Sequence, residues 1–555
     1  MFHKHQHIVN LVEILTLHKV EDIIISPGSR NAPLTNAFYE KFGSSCTSIV
    51  DERSAAYYAL GKSLKTRKPT ILVCTSGTAA LNYAPALAEA YYQGVPLIAI
   101  TADRPPELIG HQDNQTIHQT NLYQENIKGS YNFPTDILTT SLLKECEKII
   151  NIAYLLSLSG FPGPVHINIP LREPLFGALP DETSNLTFYN LPGQDKTKPL
   201  NNDLFDSWNN AKSIYIICGQ HSPDKELKDS IARISKDKRV VIFAEAISNI
   251  IDGATIHSPD VVINFKDRKL SKFPQTLVLY YGGHIVSKKL KNFLQEHEHA
   301  EFYFIENSDR EIDTFQLIKK AIKDRPANVF GKLPLQEGEP NEFKSYWKNK
   351  NKECIAKGKK HLNGIPYSDL KVFEKISELL PPDATIFSGN SSAIRYLQYF
   401  HQKDRVLYAN RGTSGIDGSL SSAAGLASKA NKEVFAILGD LSFLYDSNAL
   451  WNREFPMNLK IMVVNNKGGG IFHLIPGPSE NESFQPFFNA HHPAKIKKIA
   501  EAFNFDYIHC NNLKKLKKCI QQISGNNVNR VILEIVTPNN GEAGITRDFF
   551  NYLKS

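Results

Sequence analysis

Polar residues that could bind a metal ion and a phosphate group follow two apolar runs in the last quarter of the chain. The run at 434–438 is followed by Asp440, and the run at 459–464 is followed by Asn466 and by three glycines at 468–470. Carboxylate, amide and carbonyl oxygens are hard ligands, which suit Mg²⁺ carrying a phosphate ester. Glycines allow the backbone to approach that phosphate closely. The residue types therefore predict a site for a metal-bound phosphate.

Parallel strands are needed to bring these residues together. A helical segment separates the two apolar runs, so they read as a βαβ unit whose strands end at the same edge of a sheet. Ligands bind at that edge in open parallel sheets, because helix N-termini and backbone donors point there. Taken alone, Asp440 is more simply a helix cap and the glycines a loop. Together they favour a binding site.

The same alternation of apolar runs and helical segments extends over the whole chain. Its 555 residues predict about three domains. We expect an α/β protein with three doubly wound parallel-sheet domains, at 1–185, 186–340 and 341–555. Strands of the central domain are predicted at 214–218, 240–244, 261–265, 277–281 and 302–305. No GxGxxG follows any of them, so we expect no dinucleotide site there.

Composition excludes several classes of function. The net charge of +7 is a small excess over 64 basic and 57 acidic residues, and it indicates no nucleic-acid partner. Seven scattered cysteines without CxxC favour reduced thiols and a cytoplasmic location. No apolar stretch approaches the roughly 20 residues of a membrane span, so no membrane insertion is expected. Five histidines lack zinc-ligand spacing and should be satisfied or exposed: His111, His118, His473, His491 and His492.

Four arginines follow predicted strands and form a second group of candidates. They are Arg30, Arg104, Arg395 and Arg411. A single loop arginine is usually a surface charge. Because the guanidinium fork matches a carboxylate, several of them in one pocket predict a substrate with more than one carboxylate. Glu52 starts a helix, where the helix dipole alone explains an acidic residue.

Asp440 and Asn466 resemble the motif of thiamine-diphosphate enzymes, which opens Gly-Asp-Gly and closes Asn-Asn. Leu441 departs from that general motif. Longer blocks are similar to the menaquinone-pathway family of these enzymes, in the family's order, and that family itself reads Gly-Asp-Leu-Ser. The blocks are SPGSRNAPL, DERSAAYYALG, TSGTAALNYAPALAEAYYQGVPLIAITADRPPEL, NRGTSGIDGSLSSAAG, GDLSFLYDSNAL and VVNNKGGGIF.

The resemblance implies a transferase that uses thiamine diphosphate with Mg²⁺ or Mn²⁺. Such an enzyme would decarboxylate 2-oxoglutarate and add the resulting succinyl carbanion to isochorismate. The implied metal ligands are Asp440, Asn466 and the carbonyl of Gly468. The implied cofactor-binding residues also include Gly439, Ser442 and Glu52, the last of which would activate the cofactor through its pyrimidine ring.

The resemblance also assigns substrate contacts. The residues it places at 2-oxoglutarate are Ser391, Arg395 and Arg411, and those at isochorismate are Ser29, Arg30, Arg104, Asn114 and Gln115. Lys288 or the neighbouring Lys289 would contact isochorismate from the central domain, and Ile471 and Phe472 would form apolar walls. The set it makes catalytic is Glu52, Arg30, Arg104, Gln115, Arg395 and Arg411. Gly470 departs from the glutamine that is common there.

Active sites between chains are expected, because the activating glutamate and the diphosphate motif of this superfamily meet across two subunits. The resemblance thus implies a homodimer or homotetramer. One alternative is another thiamine-diphosphate 2-oxo-acid decarboxylase or an acetohydroxyacid synthase, against which the arginines argue. Another is a catalytically silent homologue, against which the presence of Glu52, Asp440 and Asn466 argues.

Overall fold

A computed structural model describes most of the chain. The described residues are 5–180, 186–190, 201–250, 253–263, 273, 275–297, 299–308, 310, 312–318, 320–400, 404–474, 481–525, 530–538 and 542–554. They form three parallel β-sheets flanked by helices, which confirms the predicted fold class.

The three sheets follow one another along the chain. The first contains β1 (Ile23–Ile25), β2 (Cys46–Ser48), β3 (Thr70–Cys74), β4 (Leu97–Asp103), β5 (Gly129–Asn132) and β6 (Val165–Pro170), in the order β2-β1-β3-β4-β6-β5. The second contains β7 (Ser213–Cys218), β8 (Val240–Ala244), β9 (Thr276–Tyr281), β10 (Glu301–Ile305) and β11 (Lys320–Ile322), in the order β11-β10-β9-β7-β8. The third contains β12 (Thr385–Ser388), β13 (Val406–Ala409), β14 (Val434–Gly439), β15 (Leu459–Asn465), β16 (Asp506–Cys510) and β17 (Val531–Val536), in the order β13-β12-β14-β15-β17-β16.

Helices alternate with these strands. Those between residues 5 and 180 are α1 (Gln6–Leu17), α2 (Ala32–Phe42), α3 (Glu52–Thr66), α4 (Thr78–Asn82), α5 (Ala84–Gln93) and α6 (Thr140–Leu158). The next are α7 (Asn202–Asn210), α8 (Lys225–Ile234), α9 (Pro259–Val262), α10 (Lys288–Gln295) and α11 (Pro326–Lys332). The remainder are α12 (Glu342–Leu362), α13 (Asp369–Leu379), α14 (Ser392–Phe400), α15 (Ser419–Ala427), α16 (Asp440–Tyr445), α17 (Ile496–Ala502), α18 (Leu513–Ile523) and α19 (Glu542–Lys554).

The first of two compact units comprises residues 1–194, 410–431 and 445–459. It holds the first sheet, and α15 packs along α3 within it. Glycines allow this close approach: a Cβ on Gly61 would overlap the carbonyl oxygen of Ser422, and a Cβ on Gly425 would overlap that of Tyr58. The two helix backbones therefore touch, and α3 begins with Glu52.

The second compact unit comprises residues 195–409, 432–444 and 460–555. It holds the second and third sheets. Aromatic side chains fill its core: Trp347 of α12 packs edge-on against Phe243 with ring centroids 5.1 Å apart, and its Nε1 donates to the hydroxyl of Tyr215 at 3.1 Å. Strands buried on both faces read as continuous apolar runs, which is why β7, β8, β9 and β14 are visible in the sequence.

One strand prediction was wrong. Residues 261 and 262, predicted to open a strand at 261–265, end helix α9, which starts at Pro259. A short apolar run fits a buried helical turn as well as a strand, and proline at the first helical position favours the helix. Residues 264 and 265 lie outside the described part of the chain. Among the described helices, none combines the length and the apolar character that crossing a membrane would require.

Candidate functional site

Asp440 lies where β14 gives way to α16. The residue is only 2% exposed, and both carboxylate oxygens accept hydrogen bonds from backbone N–H groups. Oδ1 accepts from Leu441 at 2.7 Å, and Oδ2 accepts from Gly468 at 2.9 Å. Because Gly468 follows β15, the second bond joins the ends of two neighbouring strands. Ser442, two residues further along α16, is also buried.

Asn466 is held by a carboxylate that the sequence did not single out. Its amide nitrogen donates to Oδ2 of Asp369 at 2.8 Å, and the hydroxyl of Thr537 donates to Oδ1 of the same carboxylate at 2.6 Å. Since Asp369 takes the amide N–H, the amide oxygen of Asn466 is the atom that can bind a cation. Burial raises the pKa of Asp369, and the negative charge of Asp440 raises it further.

The glycines after β15 bring the backbone close to its neighbours. Gly468 has a φ of +153°, and a Cβ there would overlap the carbonyl oxygen of Asn489. A Cβ on Gly470 would lie 2.5 Å from Nδ2 of Asn466, so the absence of a side chain keeps the asparagine in place. At Gly439 an added Cβ would meet no described atom within 4 Å, which leaves open space beside the end of β14.

His492 also reaches this edge of the sheet. Its Nε2 lies 3.1 Å from Oδ2 of Asp440, while its Nδ1 is buried and has no hydrogen-bond partner in the described part of the chain. We predicted His492 to be satisfied or exposed, and no spacing in the sequence connects it to Asp440. Across the residues that the structure describes, no group of three or more His, Cys, Asp or Glu side chains could hold a metal ion.

Ser391 and Arg395 belong to one turn at the carboxyl end of β12. Nη1 of Arg395 donates to the carbonyl oxygen of Ser391 at 2.8 Å. Ser391 has a φ of +65°, a conformation that costs a residue other than glycine on the order of 1–3 kcal/mol. Such strain is concentrated at ligand-binding positions in proteins.

Lys288 and Lys289 have different surroundings, although they are adjacent at the start of α10. Lys288 is exposed. Nζ of Lys289 donates to the carbonyl oxygen of Asp260 at 2.8 Å and lies 3.7 Å from the ring centroid of Phe550. Burial lowers the pKa of Lys289 to about 8. The ammonium group of Lys289 is thus committed to contacts within the protein.

Ile471 and Phe472 lie in a short 3₁₀ helix after the glycines and are half-buried. The ring of Phe472 meets that of Phe488 edge-on at 5.6 Å between centroids. These two aromatic rings form an apolar surface next to the glycine loop.

Glu52 is the first residue of α3, in the first unit. Asp51 caps the helix by accepting from the backbone N–H of Arg53 at 2.9 Å and of Ser54 at 3.3 Å, which leaves Glu52 outside the cap. Its side chain is half-buried. Burial raises the pKa of Glu52, and the neighbouring charge of Asp51 adds to the rise.

Arg30 and Arg104 are brought together in the first unit. Nη1 of Arg30 donates to the carbonyl oxygen of Leu171 at 2.9 Å, and Nη1 of Arg104 lies 3.3 Å from Oδ2 of Asp113. Burial lowers the pKa of Arg30, and the positive charge of Arg104 lowers it further. The Nε atoms of both arginines are buried without a hydrogen-bond partner among the described residues. Two cations this close, each with an unused N–H, suit an anionic ligand.

Gln115 lies in a loop that a second glutamine anchors. Oε1 of Gln119 accepts from the N–H of Gly77 at 2.8 Å, and its Nε2 donates to Oδ1 of Asn168 at 2.9 Å. Gly77 approaches so closely that a Cβ on it would lie 3.1 Å from the carbonyl oxygen of Gln115. The side chains of Gln115, Asn114 and Ser29 are exposed.

Arg411 is 8% exposed and precedes a loop held by a buried glutamate. Glu89, 1% exposed, accepts from the N–H of Gly412 at 2.6 Å, and from the N–H and the hydroxyl of Thr413 at 2.7 Å each. No pattern in the sequence signals this role of Glu89, because the residue lies within an ordinary helix, α5.

The candidate residues divide between the two units. Those in the first unit are Ser29, Arg30, Glu52, Arg104, Asn114, Gln115 and Arg411. Those in the second are Lys288, Ser391, Arg395, Gly439, Asp440, Ser442, Asn466, Gly468, Ile471 and Phe472.

Models of three known protein domains match the chain in succession. The thiamine pyrophosphate enzyme N-terminal TPP binding domain matches residues 9–122, the middle domain of thiamine pyrophosphate enzymes matches 183–388, and the C-terminal TPP binding domain matches 388–535. The chain therefore carries both thiamine-diphosphate-binding domains.

Three curated relatives share the name 2-succinyl-5-enolpyruvyl-6-hydroxy-3-cyclohexene-1-carboxylate synthase. The protein of Desulfotalea psychrophila is 40% identical over 91% of this chain and 93% of its own length. That of Flavobacterium johnsoniae is 37% identical over 98% of both chains, and that of Bacteroides fragilis is 34% identical over the full length of both. The chain belongs to the 2-succinyl-5-enolpyruvyl-6-hydroxy-3-cyclohexene-1-carboxylate synthase family of thiamine-diphosphate enzymes.

Proposed function

We propose that the protein decarboxylates 2-oxoglutarate and adds its remaining succinyl unit to isochorismate, as a transferase of menaquinone biosynthesis. The products are 2-succinyl-5-enolpyruvyl-6-hydroxy-3-cyclohexene-1-carboxylate and CO₂. The observation that carries this choice of substrates is the pair Arg30 and Arg104, each with a buried Nε–H that has no hydrogen-bond partner among the described residues. Simple 2-oxo acids offer one carboxylate, whereas both proposed substrates offer two.

The cofactor site is proposed at the ends of β14 and β15. The open space at Gly439 and the oriented amide of Asn466 fit a diphosphate and its metal ion. Mg²⁺ or Mn²⁺ would be held by Asp440, Asn466 and the carbonyl oxygen of Gly468, with Ser442 beside the diphosphate. When bound, thiamine diphosphate supplies the electron sink that decarboxylation of a 2-oxo acid needs.

Glu52 is the proposed acid–base residue. Its pKa is raised by burial, so its carboxyl group holds a proton closer to neutral pH than a free glutamate does. A carboxyl group in that state can exchange a proton with a ring nitrogen placed against it. The helix cap leaves this role open, because Asp51 is the residue that accepts the backbone N–H groups of Arg53 and Ser54.

Arginines would bind the carboxylates of the substrates. Arg30 and Arg104, with Ser29, Asn114 and Gln115, would bind the carboxylates and hydroxyl of isochorismate. Lys288 is preferred to Lys289 as a further contact, because the ammonium of Lys289 is already bound to Asp260. Ser391, Arg395 and Arg411 would bind 2-oxoglutarate, and Ile471 and Phe472 would exclude water from the reacting carbons.

A homodimer or homotetramer completes the proposal. Glu52 of one subunit would meet the Asp440 and Asn466 site of another. We place the enzyme in the cytoplasm and its three domains at 1–185, 186–340 and 341–555. The strands of the three sheets lie at 23–170, 213–322 and 385–536, which supports three domains in this order.

The test is turnover by the purified protein. With thiamine diphosphate, Mg²⁺, 2-oxoglutarate and isochorismate all present, we expect the absorbance of isochorismate to fall, and omission of any one component should stop the loss. Pyruvate in place of 2-oxoglutarate is the control donor. Turnover of pyruvate alone would instead support another thiamine-diphosphate decarboxylase, and binding without turnover would support a silent homologue.

A further inference from the structure

A fully buried carboxylate in the second unit accepts three N–H donors. Glu245 follows β8 and has no exposed surface. Its Oε2 accepts from the backbone N–H of Val286 at 2.6 Å, and its Oε1 accepts from the backbone N–H of Ser287 at 2.7 Å. The third donor is Nε2 of Gln398, 3.0 Å from Oε1. The backbone donors lie at the start of α10 and the side-chain donor lies in α14, so the side chain of Glu245 joins these two helices.

The backbone donors set the start of α10. Ser287 caps this helix, since its hydroxyl oxygen accepts from the N–H of Leu290 at 3.0 Å. Lys288 is the next residue, and its side chain is exposed. With the N–H groups of Val286 and Ser287 both fixed by Glu245, the direction in which Lys288 leaves the backbone is fixed as well.

The side-chain donor belongs to α14. Gln398 is fully buried and lies three residues after Arg395, which places the two side chains on the same side of the helix. Arg395 in turn holds the carbonyl oxygen of Ser391 at 2.8 Å. Glu245 thus connects the start of α10 to the helix that carries Arg395, one of the proposed 2-oxoglutarate residues.

The donor set explains why a carboxyl group is present despite the cost of burying it. Burial raises the pKa of Glu245 to about 7, which measures how unfavourable the site is for a charge. An ionised carboxylate offers only acceptors, on two oxygens. Glutamine would turn one of these oxygens into a donor that faces another N–H.

We propose that Glu245 is a positioning residue that holds Lys288 in the direction needed to bind isochorismate and ties it to α14. This inference rests on the proposed function, because Glu245 would position the lysine that binds isochorismate, the substrate to which the succinyl unit is added. Glu245 itself does not touch the substrate.

Glu245→Gln is the first test. We expect its KM for isochorismate to rise about tenfold, the effect of leaving one buried N–H without an acceptor, with kcat nearly unchanged. Glu245→Asp keeps both acceptor oxygens and should recover part of the loss. A folded Glu245→Gln protein whose KM for isochorismate matches that of the wild type would overturn the proposal.

Gln398→Met is the second variant and decides the matter if Glu245→Gln does not fold. It keeps Val286 and Ser287 as donors but removes the third donor that fixes the Glu245 carboxylate, so the start of α10 is held less firmly. We expect a rise of about threefold in the KM for isochorismate, as for the loss of one net hydrogen bond. An unchanged KM in this variant would also count against the proposal.

Asp237→Asn is the matched control. Asp237 is an equally buried carboxylate of the same domain that accepts from the N–H of Arg239 at 2.9 Å and of Gln336 at 2.8 Å. It should lower stability without changing the KM for isochorismate.

Amide hydrogen exchange separates this inference from the proposed function. If wild-type protein fails to turn over isochorismate, the proposed function fails. Exchange at residues 286–290 still tests the positioning role, because it should be faster in Glu245→Gln than in wild type or Asp237→Asn. Equal exchange in all three would refute that role independently of activity.

Discussion

The side-chain amide of Asn466 donates a 2.8 Å hydrogen bond to the carboxylate of Asp369, across 97 residues of sequence. Asp369 is buried at the start of α13, and the hydroxyl of Thr537 donates to its other oxygen at 2.6 Å. The bond orients an amide that would otherwise rotate, so that its oxygen faces away from Asp369. Asp369 lies outside the metal-binding motif, and it orients the side chain of Asn466, one of the proposed metal ligands.

Asp369→Asn should weaken metal binding. The side chain of asparagine has one acceptor oxygen where aspartate has two. It cannot accept from both Thr537 and Asn466, so Asn466 loses its fixed orientation. We expect the Mg²⁺ concentration for half-maximal activity to rise about 10- to 100-fold, as for other residues that orient metal ligands. Activity titrated with Mg²⁺ measures this. Asp506→Asn, an exposed change on the same sheet, should leave the titration unchanged.

Glu52→Gln should abolish most activity while the protein remains folded. Glutamine accepts hydrogen bonds but cannot take up a proton, so kcat should fall by about 10²-fold or more. The helix cap does not depend on Glu52, because Asp51 makes it. Circular dichroism and the rate of isochorismate consumption give the two readouts, with the exposed Glu40→Gln as control. Retention of near-wild-type kcat would remove Glu52 from the proton-transfer role.

The sequence predicted the parts of the fold that depend on short-range pattern. Strands β14 and β15 are continuous apolar runs ended by polar residues, and both were predicted within one residue of their observed ends. The βαβ geometry then required Asp440 and the loop after β15 to share an edge. The hydrogen bond from the N–H of Gly468 to the carboxylate of Asp440 shows that they do.

Contacts between distant segments could not be predicted in this way. Nothing near Asp369 marks it as the partner of Asn466, and His492 lies in a stretch without periodicity. Glu89 and Glu245 look like ordinary acidic residues until the backbone N–H groups that they accept from are known. Each of these roles arises from tertiary packing and not from local propensity.

The contact between α3 and α15 gives a stability prediction. A Cβ on Gly425 would overlap the carbonyl oxygen of Tyr58, so Gly425→Ala must push the helices apart at a cost of roughly 1–3 kcal/mol. The apparent melting temperature should fall. Gly544→Ala is the matched control, since Gly544 lies in α19 and its Cβ would meet no described atom within 4 Å. There alanine should be neutral or stabilising, by up to about 1 kcal/mol.

Asp446 should make the free energy of unfolding depend on pH. It is fully buried beneath α15 and accepts from the N–H of Ser421 at 2.6 Å and from its hydroxyl at 2.9 Å. Burial raises its pKa to about 7. Near pH 4 and below, the carboxyl group is protonated in the folded state. As pH rises towards 7 the unfolded chain ionises and the folded one resists, so the stability that this group contributes is lost.

Asp446→Asn is neutral at every pH and isolates the effect. The melting temperature of the wild type, relative to that of the variant, should fall between about pH 4 and pH 7 and stay level above that range. A difference that is constant from pH 4 to pH 8 would contradict the raised pKa. The exposed Asp383→Asn serves as the control, because Asp383 pairs with Lys432 at the surface.

Glu89→Gln should loosen the loop that follows Arg411. The carboxylate accepts the N–H groups of Gly412 and Thr413 on its two oxygens, and glutamine would face one of them with a donor. Because the proposed role of Arg411 is to bind 2-oxoglutarate, the KM for that substrate should rise about tenfold, as expected for one unsatisfied buried N–H, while the affinity for thiamine diphosphate stays the same. Steady-state kinetics with each substrate varied in turn measure the first, and cofactor titration measures the second. Glu21→Gln, an exposed change in the same unit, controls for loss of charge. If the KM rises for isochorismate alone, Arg411 binds isochorismate and not 2-oxoglutarate, because loosening the loop would then have affected only isochorismate.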